Sequence, residues 1–460
     1  MPPMTRPDRV SLIKTEPPGP ETRRLARREK ELFPAGAYGD VEDRFFIAAR
    51  SAGSLIEDVD GNRFIDFGAG WATNNVGNCN PEVVEAVNAM MKQAGVVCWT
   101  SAANSVQRLQ LAERLLSICP KRTDRVLFLT TGTEAVEAAL RIMRRASGRP
   151  FVLSFLGQYH GLSYGAMAAG PLNAELREDV APLVNGFVYA PFPYAYRTPL
   201  RSRNGGPGRA SLEYIEEMIL TYEVPPHMIA GVLVEPVVGE AGVWIPPDDF
   251  LPGLREMCDR HGWYLCIDEV QSGFGRCGKW WAMEHWGVEP DLLVIGKGLS
   301  GGSMPIAAVA GQAQIMDKAH AFLAGTYAGH PAGCAAGLKT IEIIERDHLL
   351  EHATALGEYG LKRLQEMKEK YPVIGEVRGK GLWLALEFVK DRESREKDFE
   401  TAAIVNRECL KHGLYYIADS ISWFARIQPP LNIERALFEQ GLDILEEAIR
   451  TATSAHPVKR

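Results

Sequence analysis

The chain has 460 residues, 46% apolar and 24% charged, which is the balance of a globular protein too long for one hydrophobic core. A formal net charge of −7 supplies no positive field for nucleic acid or an anionic membrane. Eight cysteines with no C-x-x-C pair argue against a zinc site or disulfide framework and suit a reducing cytoplasm; the N-terminal 30 residues hold no apolar signal core, and no apolar run along the chain reaches membrane-spanning length.

Residues 1–30, proline-rich and of mixed charge, read as a tail or as an arm laid over a partner subunit. "LIEDVDGNRFIDF" (55–67) alternates apolar and polar residues around Asp60-Gly61-Asn62, the pattern of a β-hairpin. Short apolar runs then alternate with helical stretches: "RVLFLTT" (125–131), "FVLSF" (151–155), "GVLVEPV" (231–237), "YLCIDEV" (264–270), "LLVIGKG" (292–298) and "IAAVAG" (306–311). Runs apolar on both faces suit a mostly parallel sheet covered by helices, and the polar residues at their C-terminal ends lie where such sheets bind ligands. Residues 196–212 read as a surface excursion. Beyond 335, helical patterns, a strand pair in "VRGKGLWLALEFV" and a final helix at 434–452 predict a smaller α+β domain. The resulting division is an N-terminal tail (1–30), a small domain built from 31–75 and 336–460, and a large domain at 76–335.

Four features at strand ends carry chemistry. In "LFLTTGTEAVEAALRIMRRASG", Thr131 reads as an N-cap with Glu134 as its capping-box partner and Gly148 as the helix stop, leaving the Gly132 and Thr133 amides open to an anion such as a phosphate ester. "SFLGQYHGLSYGAM" (154–167) sets Tyr159 and His160 between glycines, so an aromatic ring can lie flat on a planar ligand. Asp268, at the end of a buried run, needs a cation or strong donor, and a protonated ring nitrogen would serve. Lys297, between Gly296 and Gly298, would sit in the crevice, where desolvation favours a nucleophilic amine. A phosphate, a flat ring, a basic ring nitrogen and a carbonyl that condenses with an amine together describe pyridoxal 5'-phosphate (PLP).

The order and spacing of "TGTEAVEAALR", "YHG", "EPVVGE", "IDEVQSGFGR", "GKGLSGG", "GTYAGHP" and "VRGKGLWLALE" resemble the class III aminotransferases of PLP fold type I, over residues 40–450. The resemblance implies an α/β fold with a large domain and a smaller α+β domain. It also implies Lys297 as the Schiff-base lysine, Asp268 as partner of the ring nitrogen, Gln271 at the ring hydroxyl, and Val270 and Tyr159 on the two ring faces. Gly132 and Thr133 would form the phosphate cup, and Thr326 of a neighbouring subunit would complete it, hence a homodimer or tetramer. No metal is implied.

Departures from the family pattern bear on substrate. Where enzymes acting on 4-aminobutyrate or acetylornithine follow "YHG" with a carboxylate-binding arginine, this chain has Leu162; Trp71 is similar to a pocket wall of the amine-accepting branch, with Trp99 and Tyr164 as further candidates, and "GNCNP" (77–81) replaces "GHxHP". Glu235 and Arg426 are expected to act as a switch that neutralises or grips a carboxylate, and Arg378 to be structural. The expected activity is transfer from an ω-amino acid or primary amine to pyruvate or 2-oxoglutarate with ping-pong kinetics. The rivals are an acetylornithine or 4-aminobutyrate aminotransferase, a glutamate-semialdehyde-type aminomutase, in which Arg426 would be superfluous, and a catalytically silent binding module.

Overall fold

The computed structural model describes residues 12–34, 45–93, 104–178, 181–203, 205–318, 323–418 and 422–455. The chain divides into two compact units, Met1–Asn80 with Ala355–Arg460, and Pro81–Thr354. The boundary differs from the one read in the sequence: the helix Pro331–Arg346 stays with the larger unit because it packs on the helices Pro81–Gln93 and Val106–Ile118.

In the first unit, β1 (Ala48–Ala52), β2 (Leu55–Asp58) and β3 (Arg63–Asp66) form an antiparallel meander. The β2–β3 turn is the Asp60-Gly61-Asn62 turn read in the sequence, with Gly61 at φ 82° and the Asp58 carboxylate accepting from the Asp60 and Asn62 amides at 2.9 and 2.7 Å. The same turn corrects the expectation of an unpacked N-terminal tail. Asn62 Oδ1 accepts from the amides of Lys14 and Thr15, each at 2.9 Å, and the Asp60 carboxylate from those of Glu21 and Thr22 at 2.8 and 2.9 Å. Asp60 thereby caps the helix Pro20–Leu32, whose own preceding residue, Gly19, offers no side chain, while Pro20 supplies a first-turn residue with no amide to satisfy. Leu12, Thr22 and Ala26 are buried.

The larger unit holds a seven-stranded sheet of β4 (Arg125–Leu129), β5 (Phe151–Leu156), β6 (Phe187–Pro191), β7 (Ile229–Val234), β8 (Tyr264–Asp268), β9 (Leu292–Ile295) and β10 (Ala307–Gly311). The strand order is β4-β10-β9-β8-β7-β5-β6, parallel except that β10 runs antiparallel to both of its neighbours. Strands β7, β9 and β10 are buried at every position, as both-face apolar runs require. The sequence reading missed β6, an edge strand whose "FVYAP" alternates between buried and half-buried positions and lacks that signature. The helix Gly132–Ser147 lays Ala135, Val136, Ala139, Leu140 and Met143 on the sheet core and ends at Gly148, φ 70°.

In the remainder of the first unit, β11 (Ile374–Lys380) and β12 (Trp383–Phe388) form the predicted strand pair, β13 (Leu414–Tyr415) adds in parallel to β3, and β14 (Phe424–Ile427) pairs with β12. Buried Arg378 bonds Glu376 and Glu387 at 3.0 and 3.2 Å, a structural ion-pair network. Among the described residues, no helix is long and apolar enough to cross a membrane.

Candidate active site

The site lies at the C-terminal ends of the parallel strands. Register pairs Asp268, the last residue of β8, with Val294 of β9, and the Glu269 amide donates to Val294 O at 2.9 Å. Lys297 follows three residues later (297 − 294 = 3), at φ 41° and with its side chain largely covered. Left-handed backbone at a non-glycine residue costs roughly 1–2 kcal/mol, so the surrounding fold enforces this conformation.

Glycines bring the other segments up to these ends. A Cβ on Gly296 would lie 3.3 Å from Val270 Cγ1, and one on Gly132 would lie 3.0 Å from the same atom. Val270 therefore sits between the lysine's neighbour and the first turn of the helix Gly132–Ser147. Thr131 Oγ1 caps that helix through the Glu134 amide at 3.2 Å, whereas the Glu134 carboxylate reaches the Thr130 amide at 2.8 Å rather than that of Thr131. The Gly132 and Thr133 amides precede this first bonded amide, at the positive end of the helix. A Cβ on Gly161, φ 133°, would fall 2.5 Å from Thr133 Oγ1, so the segment carrying Tyr159 and His160 closes against the same helix end.

Asp268 is 4% exposed, with Oδ1 accepting from the Val270 amide at 3.0 Å and Oδ2 lying 2.7 Å from His160 Nδ1. Gln271 is buried and its Nε2 has no hydrogen-bond partner. Burial, and then the charges of Glu240, Glu235 and Asp268, push the half-buried Tyr159 hydroxyl up to about 12.

Glu235, expected to switch with Arg426, is buried and bonded to main chain. Its Oε1 accepts from the Tyr159 amide at 2.8 Å and its Oε2 from the Gly239 amide at 3.0 Å. Burial, followed by the charge of Asp268, raises this carboxyl to about 8. In this structure the carboxyl is held by two main-chain amides and braces the Tyr159 segment. Glu240, the second acid of "EPVVGE", is the one that faces the lysine, with Oε1 4.0 Å from Lys297 Nζ. Sequence reasoning missed it because the motif was assigned through its first acid; the five-residue interval to a second acid after a turn was the available signal.

Leu162 and Tyr164 are each 62% exposed, on a turn whose Ser163 hydroxyl donates to the Glu137 carboxylate. Thr326 is exposed beside Gly325, where a Cβ would lie 3.8 Å from Glu134 Oε1. Trp71 and Arg426 belong to the other unit. Trp71 is 45% exposed in a left-handed turn, with φ of 43°, 56°, 58° and 64° at residues 69–72; Arg426 is buried in β14, and its charge opposes the rise that burial imposes on Tyr415. Trp99 lies outside the described residues. No cluster of potential metal ligands occurs among the described residues, and the seven described cysteines are all free.

The unpartnered Gln271 amide, the cradle that a Cβ at Gly132 would fill, the open helix terminus, and an acid beside a lysine on adjacent strand ends fit a planar phosphorylated aldehyde. Residues 38–449 match the class-III aminotransferase family model, and the chain belongs to that family of PLP-dependent, fold type I transferases. It is 38% identical over 430 residues to a leucine/methionine racemase of Thermococcus litoralis, covering 92% of this chain and 95% of the relative. It is 35% identical over 437 residues to the 4-aminobutyrate aminotransferase GabT of Escherichia coli, covering 94% and 99%. An amine transaminase structure from an uncultivated Pseudomonas species, in PLP-bound form, superposes with a TM-score of 0.83 at 32% identity over 92% of this chain and 97% of its own.

Proposed function

We propose that this aminotransferase moves the amino group of an ω-amino acid or primary amine to a 2-oxo acid, pyruvate or 2-oxoglutarate, in two half-reactions at one site. What supports the donor assignment is Leu162, an exposed apolar residue; by the family resemblance its position after "YHG" corresponds to the carboxylate-binding arginine of enzymes that act on 4-aminobutyrate. Without that charge-assisted bidentate contact, the donor needs no carboxylate there.

PLP, when bound, supplies an electron-withdrawing ring that stabilises negative charge on the substrate carbon. The Gly132 and Thr133 amides would hold its phosphate, Val270 and Tyr159 would flank the ring, and Gln271 Nε2 would donate to the ring hydroxyl. Asp268 would keep a proton on the ring nitrogen. Lys297 would hold the cofactor's aldehyde carbon through its amine, and the same amine is placed to take and return a proton at the substrate carbon as general base and acid. Trp71 forms part of the amine pocket and Arg426 grips the acceptor carboxylate. Thr326 completes the phosphate site of a second copy, making the working form a homodimer or a tetramer of such pairs, in a cytoplasm that suits free thiols.

The racemase kinship favours a second reading, racemisation of an α-amino acid, in which Lys297 removes the α-proton and the proton returns to either face. A panel of primary amines, ω-amino acids and α-amino acids tests both: each is incubated with pyruvate, with 2-oxoglutarate and with no acceptor, and carbonyl product and enantiomeric excess are followed. Acceptor-dependent carbonyl formation from amines is expected. Loss of enantiomeric excess without an acceptor, and no amine turnover, would replace the first reading with the second.

A further inference from the structure

Asp268 does not stand alone; behind it runs a buried chain of polar groups. His160, 3% exposed, faces Asp268 Oδ2 with Nδ1 at 2.7 Å and Gln158 Oε1 with Nε2 at 3.2 Å. Gln158 is fully buried, and its amide is oriented by main chain: Nε2 donates to Glu235 O at 3.3 Å, while Oε1 accepts from the Glu235 amide at 3.2 Å. Flipping the amide would set donor against donor and acceptor against acceptor, so Oε1 is fixed toward the imidazole. Both neighbours of the imidazole are therefore acceptor atoms.

We propose that Gln158, locked by the Glu235 main chain, is a positioning residue that fixes a proton on His160 Nε2, so that a second proton lies between His160 Nδ1 and Asp268 Oδ2. An imidazole donating at both nitrogens makes the Asp268 contact charge-assisted, and with the Val270 amide on Oδ1 it holds the carboxylate at both oxygens before the ring nitrogen arrives. The Glu235 carboxyl adds to the same brace through the Tyr159 amide, so one strand end registers the whole 158–160 segment. This rests on the reading that Asp268 partners the cofactor ring.

The test is far-downfield proton NMR of the PLP-loaded protein and three variants. Wild type is expected to show two exchange-protected imidazole N–H resonances that both vanish in His160→Asn. Gln158→Met, which removes the acceptor, loses only the Nε2 resonance, and Gln158→Glu, whose protonated carboxyl reproduces the amide's donor and acceptor, retains both. Release of cofactor by dialysis is expected about tenfold faster in Gln158→Met and close to wild type in Gln158→Glu. Loss of a single resonance in His160→Asn, or both surviving in Gln158→Met, overturns the proposal. Unchanged resonances report on the chain alone, whereas a cofactor-loading defect of Asp268→Asn reports on the ring-partner reading, so the two failures are distinguishable.

Discussion

Gly132→Ala separates stability from cofactor binding. The new Cβ would stand 3.0 Å from Val270 Cγ1 and 3.3 Å from Cγ2, inside the roughly 3.5–4.0 Å of a comfortable carbon contact, with Val270 backed by the Gly296 main chain. Overpacking of this kind costs about 1–3 kcal/mol. Alanine in the first turn recovers up to about 1 kcal/mol of helix preference over glycine, so the cofactor-free protein should lose about 0–2 kcal/mol in all, read as a small drop in its melting temperature. The displaced Val270 is the proposed ring support, and about 1–2 kcal/mol lost there corresponds to roughly 5–30-fold weaker PLP binding. Spectroscopic PLP titrations of wild type, Gly132→Ala, Val270→Ala and the double variant form a cycle. Adding Gly132→Ala to the Val270→Ala background should cost little, because the clash partner is gone. An equal loss of affinity on both backgrounds would refute the steric reasoning.

Leu162→Arg is expected to move donor preference toward carboxylate-bearing amines, read as kcat/KM for 4-aminobutyrate against a simple primary amine; an unchanged profile means that residue 162 does not meet substrate. Glu235 has a folded-state value of about 8 against 4.5 for the free group, so the folded chain holds a proton that the unfolded chain releases. That stability is full below 4.5 and is lost as pH rises to about 8, with a slope of up to about 1.4 kcal/mol per pH unit, and denaturant melts across this range should show a shallower slope in Glu235→Gln. Asp60→Ala removes the cap on the helix Pro20–Leu32, and about 1–2 kcal/mol of local stability should disappear as faster amide exchange over residues 20–32.

What the sequence disclosed and what it hid have physical causes. The helix Gly132–Ser147 was legible at both ends, because Thr131 and Gly148 act within a residue of the boundary. Asp268 and Lys297 stood out because a polar group terminating a buried run demands an explanation, and the fold sets them on adjacent strand ends. The N-terminal helix was illegible because its cap, Asp60, is supplied from 38–39 residues away. Strand β6 hid in an edge pattern, and the bracing role of Glu235 depends on amides from Tyr159 and Gly239 that no local motif announces. The Gln158–His160–Asp268 chain depends on the contact between His160 and Asp268, 108 positions apart, a pairing that only the folded sheet creates.

Borohydride reduction of the PLP-loaded protein, followed by peptide mass spectrometry, tests the central assignment most directly. Reduction should fix the pyridoxyl group on Lys297 alone, and an amine donor added beforehand should abolish the label. A label on any other lysine, or a label at 297 that persists in the presence of amine donor, would contradict the account.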